Sequence, residues 1–251
     1  MNPQLFSRIG QTRTVLARDH ALIAPDGHVV TPLPNWVGAS GVVLISPAMG
    51  ARLAQSLVWI EPNSEAITYR PSAGIEACFY VLEGELQAGE QTLRAGSYVF
   101  LPAGEHIELK AKTSARLVVF EKRHTPKANT KAPRRVIGHA ENIEGKPFMG
   151  DPDAVLQVLL PETPEFDMAV NVFSYQPGAT LPFVETHIME HGLLMLDGEG
   201  IYRLNESWYP VAAGDCIWMA AYCPQWFAAT GKVPSRYIYY KDINRDSMEA
   251  L

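Results

Sequence analysis

Glu185-Thr-His187-Ile-Met-Glu-His191-Gly-Leu-Leu-Met-Leu-Asp-Gly198 is the stretch on which the reading of this chain turns. On an extended strand alternate side chains share a face, so Glu185, His187 and His191, all at even spacing, are expected to project to one side. A buried carboxylate costs several kcal/mol unless it is paired or bound to a cation. A lone histidine on an apolar strand is ordinarily a hydrogen-bonded core or surface residue. Two imidazoles with a carboxylate on one face point instead to a metal ion. Glu190 sits at an odd offset and is expected to face away in a structural role.

Outward from this stretch the chain reads as short strands between turns. Met168-Ala-Val-Asn-Val-Phe-Ser-Tyr175 precedes it, with Pro177-Gly178 as the turn, and Gly198 closes a hairpin that needs the positive φ glycine supplies. Ile201–Leu204, Trp208–Val211, Cys216–Met219 and Arg236–Tyr240 follow, with the turn Ala213-Gly-Asp215 between them. The first half repeats this layout. Val81-Leu-Glu-Gly84 matches Met195-Leu-Asp-Gly198, and Arg94-Ala-Gly96 matches Ala212-Ala-Gly214. Many short strands, frequent turns and almost no helical periodicity predict an all-β chain of two tandem double-sheet barrels. Lys122 to Arg135 carries six basic residues, two prolines and no acid, and reads as a solvated linker or an arm laid across a neighbouring surface. The expected division is a barrel over 1–121, a basic linker over 122–150 and a second barrel over 151–251.

Composition narrows the function classes. Of 251 residues, 47% are hydrophobic and 19% charged, which suits a folded globular protein and not a disordered one. A net charge of -6 argues against nucleic-acid binding driven by phosphate contacts. No apolar run is long enough for a membrane span and the N-terminus lacks a signal-like core, so a cytoplasmic protein is expected. Cys78, Cys216 and Cys223 show no CxxC spacing and read as small apolar side chains, with no histidine placed to activate Cys223.

A glycine before a histidine-rich segment, a hairpin glycine closing it, and Gly214-Asp215 followed eleven residues after Gly214 by Gln225 resemble the two motifs of the cupin superfamily. Cupins usually carry His-x-His and a second-motif histidine, so Glu185 and Gln225 are departures. That departure resembles the (S)-ureidoglycine aminohydrolases, as do Phe173-Ser-Tyr-Gln-Pro-Gly-Ala179, Gly200-Ile-Tyr202 and Tyr239-Tyr-Lys-Asp-Ile-Asn-Arg-Asp246. The resemblance implies two jelly-roll barrels and a homo-oligomer. It implies one Mn2+ held by Glu185, His187, His191 and Gln225, and hydrolysis of a small ureido acid with release of ammonia. It places substrate beside Glu185, Gln225, Tyr202, Tyr237 and Lys241, with Lys241 and Glu185 the candidates for proton transfer. Taken alone, Lys241 reads as an exposed lysine opposite Asp242, Tyr202 as a strand aromatic, and the donor set admits Fe2+, Ni2+ or Zn2+ equally. The first half offers Ala77, Ala73 and Pro71 at the matching ligand positions, so its barrel is expected to be structural. A cupin dioxygenase or isomerase acting on another small acid, and a non-catalytic ligand-binding cupin, are the alternatives.

Overall fold

The computed structural model describes residues 10–62 and 65–246; the N-terminal segment read for a signal lies almost wholly outside them. The described chain folds into four antiparallel sheets, and its helical content is short 3-10 turns. In the C-terminal barrel an eight-stranded sheet runs Val15–Leu16, His20–Ile23, Cys216–Met219, His191–Asp197, Ser235–Asp242, Met168–Tyr175, Asp151–Val158 and Lys146–Phe148. A three-stranded sheet of Ser207–Ala212, Glu199–Leu204 and Gln225–Ala229 completes it. The N-terminal barrel is built the same way from seven and five strands, its large sheet centred on Ala115–Arg123 between Ile75–Glu83 and Leu53–Ile60. The expected all-β tandem of barrels is borne out.

The central strands of both large sheets read as near-continuous apolar runs because each has two buried faces. Along Ala115–Arg123, Ala115, Leu117 and Val119 point into their own barrel with Phe79 and Val99. Val118 and Phe120 point the other way, into a core shared with Met168, Val170, Val172, Ile238 and Tyr240 of the other barrel. Each such side chain contributes roughly 1.5–3 kcal/mol on burial, so the two barrels are joined by a core and not by a linker. The repeat-defining glycines are required by space. A Cβ on Gly198 (φ +72) would lie 2.6 Å from Ser235 Oγ, and one on Gly84 (φ +86) would lie 2.2 Å from the Ser114 carbonyl oxygen.

Several strands cross the boundaries expected at 121 and 150. His20–Ile23 pairs with Cys216–Met219 and so belongs to the C-terminal barrel, through His20↔Met219 and Leu22↔Ile217. Within the stretch read as linker, Val136–His139 pairs with Ser97–Leu101, and Lys146–Phe148 pairs with Asp151–Val158. The basic segment is also not solvated throughout. Lys122 is buried, and its Nζ lies 2.6 Å from the fully buried Asp167 carboxylate of the other barrel. His124 Nδ1 stands 2.9 Å from Glu76 and 3.2 Å from Asp167, and the Thr125 N–H donates to Asp167 at 2.8 Å.

This seam cluster carries a pH signature. Burial, then the neighbouring Asp167 carboxylate, pushes Glu76 above its ordinary 4.5. For Asp167 burial acts upward, but the hydrogen bond with Glu76 and the Lys122 ammonium outweigh it and hold the group below its ordinary value. A raised folded pKa means that the stability from Glu76 is complete below its unfolded value and declines as pH rises through the folded one. Glu76→Gln keeps the shape without the titration. Denaturant midpoints measured from pH 5 upward are expected to show wild type losing stability relative to this variant as pH rises; a constant difference would contradict the assignment.

A cavity of about 650 Å³ also lies on the seam, lined among others by Arg116, Glu83, Arg236 and Asp197. Its cations are already paired, Arg116 with Glu83 and Arg236 with Asp197, and neither His187 nor His191 lines it. Among the described residues no helix is long and apolar enough to cross a membrane.

Candidate functional site

The sequence places the site residues on one continuous strand; the structure brings them together differently. Of Glu185, His187 and His191, only His191 lies on a regular strand, as the first residue of His191–Asp197. Residues 181–190 run irregularly before it, and Glu185 is held by an isolated bridge to Gln225. Its N–H donates to the Gln225 carbonyl at 2.8 Å, and the Gln225 N–H donates to the Glu185 carbonyl at 2.9 Å. The pairing brings two positions forty residues apart side by side at the rim of the barrel. His187 is fixed through its carbonyl, which accepts the Tyr222 N–H at 2.7 Å.

Three of the four expected ligands converge. His187 Nε2 lies 3.2 Å from His191 Nε2 and 3.0 Å from the Gln225 amide nitrogen. His191 Nδ1 is 3.2 Å from the Tyr240 carbonyl oxygen, which makes Nδ1 the protonated nitrogen and leaves the Nε2 lone pair facing His187. Burial, then the His187 ring, lowers His191 to about 3, and burial also lowers His187. Both rings are therefore neutral at physiological pH, the form that binds a cation. His187 Nδ1 is buried without a partner. Glu185 stands further back. Among the described residues, the groups of three or more His, Cys, Asp or Glu donors within 4.8 Å of one another do not include Glu185, His187 and His191. Burial raises the Glu185 carboxyl, against the pull of the Lys241 ammonium.

The donors open into a cavity of about 190 Å³ whose lining includes Glu185, His187, His191, Gln225, Tyr202, Tyr237 and Lys241, every residue singled out in the sequence. Lys241 is the cross-strand partner of His191. Its ammonium lies 3.6 Å from Glu162, not on Asp242 as its bare reading suggests; Asp242 is engaged by Arg52 at 3.0 Å. The Tyr237 hydroxyl is 3.0 Å from that of Tyr175, and the Tyr202 hydroxyl donates to Gln225 Oε1 at 3.5 Å. Phe173, Leu181, Leu193 and Met219 make the remaining wall apolar.

Tyr239, expected from its spacing to share the strand face of Tyr237 and Lys241, also lines the cavity and takes a 3.1 Å hydrogen bond from the fully buried Asn171. Other features escaped the sequence reading. Phe148 reaches the cavity from the presumed linker. Glu190 does face away, yet it is buried, accepting from Trp218 Nε1 at 2.7 Å and from the Arg52 N–H at 2.9 Å. Cys223 does have a histidine nearby, since Asp19 and His20 lie within 4.8 Å of it. That imidazole is committed to Asp19 at 2.8 Å and Tyr209 at 2.9 Å, and burial raises the Cys223 thiol to about 11, so no thiolate is generated. At the seam, Glu76, His124 and Asp167 also lie close together, and there Asp167 is already paired with the Lys122 ammonium at 2.6 Å.

The donor set at the barrel rim fits a divalent cation. Two neutral imidazoles, an amide that presents its oxygen when turned over, and a carboxylate within reach are nitrogen and oxygen ligands suited to a hard or borderline ion, beside an open cavity.

The comparisons with known proteins agree with this geometry. A cupin-domain family model matches residues 171–240. The chain is 40% identical over 246 residues to the probable (S)-ureidoglycine aminohydrolase of Oryza sativa subsp. japonica, covering 95% of this chain and 78% of that protein. It is 33% identical over 234 residues to the (S)-ureidoglycine aminohydrolase of Escherichia coli (strain K12), covering 90% and 89%. The crystal structure of protein Ylba from E. coli superposes with a TM-score of 0.80 at 30% identity, covering 96% of this chain and 98% of that one. With identity of this level running through both barrels and not only through the histidine stretch, the chain belongs to the (S)-ureidoglycine aminohydrolase family of cupin proteins.

Proposed function

We propose that this chain hydrolyses (S)-ureidoglycine to (S)-ureidoglycolate and ammonia, using the cavity at the mouth of the C-terminal barrel. The observation that carries this reading is the convergence of His187, His191 and Gln225 at 3.0–3.2 Å beside a small, partly apolar cavity with Lys241 on its wall. The proposed ion is Mn2+, held by His187, His191, Gln225 and, after a swing of its side chain, Glu185. When bound, such an ion supplies Lewis acidity and a template for a small chelating acid. Water adds the oxygen of the new hydroxyl and the C–N bond to the amine breaks, so that one water is consumed and one ammonia leaves.

The chain's own groups provide the rest. Lys241 offers a cation for the substrate carboxylate, and its Glu162 partner is half exposed and gives way readily. Glu185 would use its second carboxyl oxygen to take a proton from the entering water and pass it to the departing amine. Tyr237 and Tyr202 present hydroxyls for the ureido end, and Phe173, Leu181, Leu193 and Met219 keep bulk water away. A cytoplasmic homo-oligomer is the proposed working form. Purified protein loaded with Mn2+ is expected to release ammonia from ureidoglycine in proportion to enzyme. No release from a metal-loaded sample would overturn the reading.

A further inference from the structure

The N-terminal barrel lacks ligands, yet it grips the end of the C-terminal barrel that carries them. Glu190 and Asp242 immediately flank His191 and Lys241, which are paired across two neighbouring strands. The Glu190 N–H donates to Asp242 at 2.5 Å, extending that pair by one step. One residue of the N-terminal barrel meets both carboxylates. The Arg52 N–H donates to Glu190 at 2.9 and 3.1 Å, its Nε stands 3.5 Å from Glu190, and its Nη2 lies 3.0 Å from Asp242. The same guanidinium reaches the Ile188 carbonyl at 3.4 Å, one residue after His187.

The contact continues along the strand. A Cβ on Gly192 would lie 2.6 Å from Gln55 Oε1 and 2.7 Å from Leu53 Cδ1, so the N-terminal barrel sits directly on the backbone beside His191. Gln55 Nε2 donates to the Leu193 carbonyl at 3.3 Å. With Trp218 holding the other side of Glu190, the segment bearing His187 and His191 is braced by Arg52 against Lys241's strand.

We propose that Arg52 is a positioning residue for the C-terminal site. By clamping Glu190 and Asp242, it fixes the spacing of His187, His191 and Lys241 and lets the ligandless barrel set the site's cation affinity. The proposal rests on the metal reading above. Partners that orient metal ligands typically matter by 10–100-fold in affinity or activity. The Arg52 side chain is 54% exposed and its backbone N–H survives any substitution, so Arg52→Ala is expected to fold.

The test measures Mn2+ binding by titration, ammonia release and thermal unfolding for wild type, Arg52→Ala, Arg52→Lys, Glu190→Gln and a distant control, Arg94→Ala. Arg94 forms an exposed pair with Glu141 and serves as an equal loss of charge. Arg52→Ala and Glu190→Gln are expected to weaken Mn2+ binding about 10-fold and to lower kcat more than they change KM. Arg52→Lys should recover part of both losses, and Arg94→Ala should match wild type. Unchanged Mn2+ affinity and kcat in both Arg52→Ala and Glu190→Gln would overturn the proposal. So would losses that track a fall in unfolding temperature and are not recovered by lysine. If wild type binds Mn2+ but releases no ammonia, the proposed reaction fails, while the comparison of affinities still tests the clamp.

Discussion

His191→Ala is expected to strip the protein of its divalent cation and to lower ammonia release by roughly 10³-fold, the loss of several kcal/mol of metal-derived stabilisation. The imidazole is buried at the start of its strand, with Nδ1 turned to the Tyr240 carbonyl and Nε2 to His187. Alanine removes the nitrogen whose lone pair faces His187 at the cavity. His187 is left with Gln225 alone as a close partner, too few donors for tight binding. The substitution is a cavity within an intact sheet, because the backbone pairing to Met219 and Lys241 does not involve the ring. Elemental analysis beside circular dichroism separates the two effects. A variant that keeps its metal would remove His191 from the coordination sphere and with it the proposed site.

Asp167→Ala is expected to be the more damaging change to stability and the less informative about chemistry. Asp167 is fully buried and serves Lys122, His124 and the Thr125 backbone at once. Removing it takes away the carboxylate hydrogen-bonded to the buried Lys122 ammonium, and breaking a buried pair in this way costs about 3–5 kcal/mol. At roughly 2–4 °C per kcal/mol for a chain of this size, the unfolding temperature should drop by about 6–20 °C. Adding Lys122→Met should return a large part of the loss, since the double variant strands no charge. Calorimetry on the two single variants and the double variant tests this, and additive losses would show that Lys122 and Asp167 do not form one unit.

The legible parts of this chain were those written locally. Gly84 and Gly198, each at positive φ with no room for a Cβ, announce their hairpins in any sequence reading, and their recurrence gives the repeat. Glu185, His187 and His191 were singled out by their spacing and Gln225 by its place in the resemblance, and all four line one cavity. Their strand was not: Glu185 and His187 precede the regular strand and are aligned instead by the bridge to Gln225, a long-range pairing without a local mark. The same limit hid His20–Ile23 from its place beside Cys216–Met219, and hid the pairing of Lys146–Phe148, whose lysine and proline read as linker. Arg52 was invisible because nothing in its own neighbourhood says that its partners lie on the other barrel.

The placement of His20–Ile23 has a consequence for synthesis of the molecule. His20–Ile23 leaves the ribosome long before Cys216–Met219, the strand onto which it docks, has been made. Closing so long a loop is entropically costly and slow, so the edge of Cys216–Met219 stays bare until His20–Ile23 has found it. A product cut short before Cys216 would carry an arm with nowhere to dock, and a fragment begun after it would present the unpaired edge of Cys216–Met219 to its neighbours.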